Sequence, residues 1–203
     1  MSATNPVVQQ SQRGLMVVVS GPAGVGKDTL LERLQSAWPR LKRVVTYTTR
    51  PPAEGERHGV DYLFVKEEEF KQLVQESAFL EHAVVHGNHY GTPRREAEAF
   101  REAGDDAALK IDVQGGLQIK EKNPDAVLMF IQPPDMGELE ARMRKRGRDS
   151  EETIQLRLKN AWDEMAKIPF YDYLVTNDDI QRAVDAMRSI LVAEKSRISR
   201  MKL

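Results

Sequence analysis

Cysteine is absent from all 203 residues, which excludes a disulfide framework, thiolate metal sites and a cysteine nucleophile. A reducing, cytoplasmic setting fits that absence. An excess of one charge sign is also missing: 30 Lys and Arg face 31 Asp and Glu, a formal net charge of −1. No global basic field is available to hold nucleic acid or an acidic membrane, so neither is expected as a partner and any anion site must be built locally. Long apolar runs are lacking too, since the compact run near the start covers only Leu15 to Ser20, far short of a bilayer. Residues 1–13 carry several glutamines, one arginine and no apolar centre, so they resemble neither a secretory signal nor a transit peptide and read as a flexible leader. What is present, 40% hydrophobic and 30% charged residues, suffices for one globular core with small inserted subdomains and is too apolar for whole-chain disorder.

Leu15 to Val19 is a continuous, largely β-branched run followed by a Gly-rich loop and the periodic apolar residues Leu30, Leu31 and Leu34, which predicts strand, loop, helix. Similar runs at Ala107 to Val113, Ala126 to Ile131 and Tyr173 to Thr176 alternate with helical patterns, the signature of an α/β fold with a parallel sheet flanked by helices. Between Val45 and Pro93 the chain turns to short segments rich in Thr, Pro, Gly and Tyr, with a turn candidate at Gly87-Asn88, and predicts an inserted small sheet. A second, arginine-rich helical insertion runs from Glu138 to Met165, with Ile154, Leu158, Trp162 and Met165 on one face and Arg157 elsewhere. Ile180, Val184, Met187 and Leu191 form the closing helix, entered through Asn177, Asp178 and Asp179. The single domain 14–203 therefore divides into a core of 14–45, 97–137 and 166–203 and insertions at 46–96 and 138–165.

Gly21, Pro22, Ala23, Gly24, Val25, Gly26 and Lys27 form a GxxxxGK string between predicted strand and predicted helix, the context of a phosphate cradle. Its backbone N–H groups converge on phosphate oxygens, the helix N-terminus adds a positive dipole end, and Lys27 reaches the β and γ phosphates of a nucleoside triphosphate. Where a Ser or Thr would offer its hydroxyl to Mg²⁺, this chain has Asp28, with Thr29 next. Asp28 either ligates the cation or favours the first helical turn while Thr29 or water fills the shell.

Val45-Thr46-Tyr47-Thr48-Thr49-Arg50-Pro51-Pro52, Gly59-Val60-Asp61-Tyr62-Leu63-Phe64, Phe79-Leu80-Glu81, Gly87-Asn88-His89-Tyr90-Gly91-Thr92-Pro93, Ile111-Asp112-Val113-Gln114-Gly115, Arg146-Gly147, Asp149-Ser150-Glu151-Glu152 and Val175-Thr176-Asn177-Asp178-Asp179 follow in an order and spacing that resemble the guanylate kinase family. The likeness covers nearly the whole chain from Leu15. It implies a P-loop nucleoside monophosphate kinase of purine nucleotide metabolism, moving the γ-phosphoryl group of ATP to GMP with Mg²⁺, insertion 46–96 binding GMP and insertion 138–165 acting as a lid. The resemblance implies that Arg50 clamps the acceptor monophosphate with the hydroxyls of Tyr62 and Tyr90, that Glu81 accepts from the guanine N1–H and amino group, and that Thr46 and Thr92 serve its remaining polar edge. Arg146 and Arg157 match lid positions and join Lys27 and Arg50 as catalytic candidates, while Asp112 would orient metal-bound water. Asn177 reads either as a neighbour of the nucleotide base or as a helix cap.

Three departures from that pattern stand out. Ala53 replaces a second basic residue three positions after Arg50, Lys110 replaces an acid two positions before Asp112, and Arg148 is an additional cation. Lys110 either carries a cation into the acceptor pocket or pairs with Asp112. A binding module that has lost catalysis would keep Arg50, Tyr62 and Tyr90 without needing Lys27. A ribose bisphosphate kinase would share the Gly26-Lys27-Asp28-Thr29 loop but leave Glu81 and Thr92 without a base to read. His82, His86 and His89 make no zinc site: residues four apart on a strand lie about 13 Å apart, and the remaining pair is an incomplete ligand set.

Overall fold

A computed structural model describes residues 9–10, 13–85, 87–145, 147 and 150–202. The chain order is β1 (Gln9–Gln10), β2 (Met16–Ser20), α1 (Lys27–Ala37), β3 (Leu41–Arg43), β4 (Tyr47–Thr48), β5 (Leu63–Phe64), α2 (Glu67–Gln75), β6 (Phe79–Val85), β7 (Asn88–Pro93), α3 (Arg94–Glu102) and β8 (Asp106–Lys110). It continues with α4 (Val113–Lys122), β9 (Val127–Gln132), α5 (Met136–Lys145), α6 (Glu151–Met165), β10 (Tyr173–Thr176), α7 (Ile180–Lys195) and β11 (Met201–Lys202). The central sheet is parallel, ordered β10-β9-β2-β8-β3, and a second sheet is ordered β5-β4-β7-β6. Among the described residues no helix is long and apolar enough to cross a membrane.

β2 is buried on both faces, which is why it reads as an unbroken apolar run rather than an alternation. Period-two geometry sends Val17 and Val19 into one core with Leu30, Leu31, Leu34, Met187 and Leu191, and Met16 and Val18 into another with Leu109, Ile119 and Leu128. Because β2 and β8 are parallel neighbours, the segments that follow them emerge at the same edge of the sheet, the usual place for ligands in open α/β folds. The smaller sheet mixes parallel β4/β5 pairing with antiparallel β4/β7 and β6/β7 pairing.

Several boundaries differ from the sequence expectation. Val113 opens α4 instead of ending a strand, because Asp112 caps that helix by accepting from Gly115 N at 3.0 Å. Val85 pairs with Asn88, so Asn88 already belongs to β7 and not to the turn. Trp162 is 63% exposed, since Ile154 and Ala161 take the buried face of α6 while Leu158 packs at its margin. Within the stretch read as a leader, Gln9–Gln10 pair antiparallel with Met201–Lys202, and most of the rest of it lies outside the described residues.

Candidate active site

The phosphate loop leaves β2 and delivers Lys27 at the start of α1. Gly26 is left-handed at φ 98°, and a Cβ there would lie 2.6 Å from Asn177 Nδ2. That amide is close because it donates to Val25 O at 2.7 Å, pinning the loop to the end of β10. Asn177 is therefore a buried clamp on the loop, and the α7 cap is Asp179, which accepts from Arg182 N at 2.9 Å. Lys27 Nζ donates to the carbonyls of Gly21 and Pro22. Burial pushes its pKa down to about 8, against the opposing pull of Glu164.

A cleft of about 330 Å³ separates this loop from the smaller sheet. Gly21, Ala23, Gly24, Gly26, Lys27 and Asp28 form one wall; Thr46, Tyr62, Glu81 and Tyr90 form the other. Lys110, the last residue of β8, and Asp112, just beyond it, join them, and α6 contributes Arg157 and Glu164. Glu81 is 2% exposed and accepts from Thr92 Oγ1 at 2.5 Å. Burial pushes its carboxyl up to about 7, only partly offset by the Thr92 hydrogen bond, and Asp112 adds to the rise. A Cβ on Gly115 would lie 2.6 Å from Glu81 Oε2, so a side chain there would displace this carboxylate. The rings of Tyr62 and Tyr90 meet edge to face at 6.0 Å.

Two expected contacts take another form. Thr92 commits its hydroxyl proton to Glu81, so it orients the carboxylate rather than standing ready for the base. Arg50 is drawn into its own loop: Nη2 donates to both carboxylate oxygens of Glu56 at 2.8 and 2.9 Å and Nη1 to Pro51 O at 2.8 Å, with Cζ 5.4 Å from the Tyr62 ring centroid. Burial alone would lower the Arg50 pKa, but the bonds to Glu56 and Tyr90 raise it, so this cation stays charged. Lys110 both lines the cleft and pairs with Asp28 at 2.5 Å, not with Asp112. Arg146, Arg148, Asp149 and His86 lie outside the described residues.

Glu56 and Glu164 escaped the sequence reading. Glu56 follows Arg50 at a spacing that a loop pairing would suit, but nothing local marks the contact. Glu164 lies two turns after Arg157 on α6, and that helical spacing was the available signal. Among the described residues its Oε2 is buried without a hydrogen-bond partner, and burial pushes its carboxyl up to about 7 despite the nearby Lys27.

Among the described residues no three His, Cys, Asp or Glu side chains gather to hold a metal. Thr29 lines a second cavity of about 650 Å³ with Arg142, Lys145, Asn177 and Asp178, away from Asp28. Asp28 is occupied by Lys110 and, at 3.7 Å, Arg43. Asp112 faces the cleft with no ion pair among the described residues. This donor set fits a hard cation carried on a triphosphate and held mostly by phosphate oxygens and water, not a cage built by the protein.

The two cavities share Gly24 and Gly26, so a bound triphosphate would run along the loop from one into the other. The guanylate kinase family model matches residues 13–194. The guanylate kinase of Caldanaerobacter subterraneus subsp. tengcongensis is 46% identical over 191 residues, covering 94% of this chain and 93% of that protein. That of Desulfitobacterium hafniense is 45% identical, covering 94% of this chain and 96% of that protein. Among solved structures, guanylate kinase from Anaplasma phagocytophilum matches with a TM-score of 0.79 at 34% identity, covering 96% of this chain and 92% of that one. With a match that spans loop, cleft and both sheets, this chain belongs to the guanylate kinase family.

Proposed function

We propose that the chain is an ATP:GMP phosphotransferase that gives ADP and GDP. The observation that carries this is the placement of Lys27 and Glu81 on opposite walls of one cleft, a phosphate-binding ammonium facing a buried base-reading carboxylate. A GMP phosphate oxygen attacks the γ-phosphorus in line, and the bond to the β–γ bridging oxygen breaks with its electron pair leaving on ADP. The attacking oxygen is already ionised, so no general base is needed.

Each wall has a defined task. The loop amides and Lys27 hold the triphosphate. Tyr62 and Tyr90 donate to the acceptor phosphate beside Arg50, which Glu56 keeps oriented. Glu81 in its ionised form accepts from guanine, with Thr46 at the same wall, and adenine would leave that buried carboxylate unsatisfied. Arg157 reaches the cleft from α6, the place of a charge-neutralising arginine that closes over the phosphates and excludes water. A magnesium ion carried on ATP would supply charge neutralisation at the phosphate oxygens, and Asp112 is the cleft carboxylate that would orient its water.

A binding module needs no phosphate loop, and a ribose bisphosphate acceptor leaves Glu81 and Thr92 idle in a buried hydrogen bond. The absence of cysteine suits a cytoplasmic enzyme. The test is ADP release from ATP in the presence of GMP by the parent protein and by Lys27→Ala. GMP-dependent turnover that falls about 10² to 10³-fold in the variant supports the proposal. Turnover that is GMP-independent, or unchanged in the variant, overturns it.

A further inference from the structure

Phosphoryl transfer as just described leaves one contact unused, and it joins the phosphate loop to the end of β8. The Lys110 side chain is 12% exposed, with Nζ 2.5 Å from Asp28 Oδ1 and 5.3 Å from the centroid of the Tyr62 ring. Arg50 lies against that same ring, yet its Nη2 is shared between both oxygens of Glu56 and its Nη1 donates to Pro51 O. Residue 53, three positions on, is alanine and offers no charge. A phosphate dianion placed between Tyr62 and Tyr90 thus meets an arginine partly neutralised by its own loop. The cleft-lining cation beside Tyr62 is Lys110.

Asp28 accounts for where that ammonium sits. A lysine ends in a compact charge on a four-carbon stem, and a fixed counter-ion removes much of its freedom. Asp28, in the first turn of α1, lies across from the end of β8 and makes that ion pair. On its own a carboxylate here would repel both substrates' phosphates. It is instead paired with Lys110 and, at 3.7 Å, with Arg43, so these three side chains together carry one net positive charge.

We propose that Lys110 is a binding residue for the phosphate of the acceptor and that Asp28 is the positioning residue that aims it; the inference rests on GMP being the acceptor. Lys110 stands in for the cation that residue 53 lacks. The Asp28–Lys110 pair also links donor loop and acceptor site directly.

Guanosine and GMP differ only in the phosphate, so the ratio of their affinities isolates this contact. The experiment is titration calorimetry of each ligand, without ATP or metal, against the parent, Lys110→Met, Lys110→Arg, Asp28→Asn and the double variant Asp28→Asn/Lys110→Met. Lys110→Met should weaken GMP about ten- to a hundredfold, the range of a charge-assisted hydrogen bond, and move guanosine less than about twofold. Lys110→Arg should recover most of the loss. Asp28→Asn should weaken GMP severalfold, and the double variant should match Lys110→Met, because Asp28 acts through Lys110. The KM for GMP should follow these changes. The proposal is overturned if Lys110→Met keeps the parent ratio of GMP to guanosine affinity, or weakens both ligands equally. A double variant that regains parent affinity overturns it as well, since Lys110 would then only neutralise Asp28. A parent protein that binds neither ligand removes the GMP reading itself, an outcome distinct from loss of the ratio in the variants.

Discussion

A carboxyl that must be ionised to read guanine, placed where burial favours its protonated form, makes Glu81 the pH-sensitive residue of the acceptor site. Its pKa rises from the ordinary 4.5 to about 7, so below pH 7 the free protein holds it protonated and unable to accept both guanine N–H groups. GMP affinity should therefore fall by up to about tenfold per pH unit below 7 and level off above it. The stability sign is opposite in the unliganded protein: the folded state holds this proton more tightly than the unfolded chain, so the contribution is fullest below 4.5 and is lost as pH rises through about 7. Thermal shift by GMP, measured at pH 6, 7 and 8, should consequently grow with pH, and Glu81→Gln should abolish that growth and weaken GMP by at least about 10²-fold. A pH-independent shift in the parent would contradict this role. Lys27 was legible from the phosphate-loop pattern itself, whereas Glu81, Tyr62 and Tyr90 were legible only through the motifs shared with the guanylate kinase family, since each alone reads as a surface or packing residue. The Asp28–Lys110 pair was not, because its partners are 82 residues apart and nothing local to either one encodes the other.

Among the elements, the phosphate loop depends on a strand it never touches in sequence. Asn177, at the end of β10, is buried and bonded to Val25 O, so Asn177→Ala leaves that carbonyl unpaired. The cost should be about 1 to 3 kcal/mol of stability, read by thermal denaturation. The ATP affinity should fall severalfold as the loop amides lose their alignment, with GMP affinity nearly unchanged. Unaltered ATP binding in a destabilised variant would show that the clamp serves folding alone. Strand β10 was readable residue for residue, because a short aromatic and β-branched run is bounded by Asp172 and Asn177, although only Val175 of it is fully buried. The limits of β8 and α4 were not, since Ile111-Asp112-Val113 continues an apolar texture and only the cap formed by Asp112 ends it. The α6 stripe was misread at Trp162 because helical spacing marks a face without saying how wide the buried arc is. The inward residue is Ala161, while Trp162 stands beside a shallow groove with Gly137 and Leu158.

At the scale of the molecule, two sheets face one cleft, the phosphate loop on one side and the wall of Thr46, Tyr62, Glu81 and Tyr90 on the other. Parallel pairing of β2 with β8 brings the loop that ends in Lys27 beside Lys110 and Asp112, and the β4-β7-β6 pairing brings Glu81, Tyr90 and Thr92 together. The α/β alternation and the inserted sheet were visible as changes of texture along the chain. The cleft between them was not, because it exists only once strands distant in sequence are neighbours. On the proposed reading, Glu81 in that lining accepts from a purine with hydrogen-bond donors at N1 and the amino group. The most direct measurement is a coupled assay of ADP release from ATP and Mg²⁺ against GMP, AMP, CMP, UMP and a ribose bisphosphate. A kcat/KM for GMP that exceeds AMP by about 10³ to 10⁴-fold is the predicted result. Equal use of AMP, or turnover of the ribose bisphosphate with GMP inert, would contradict it.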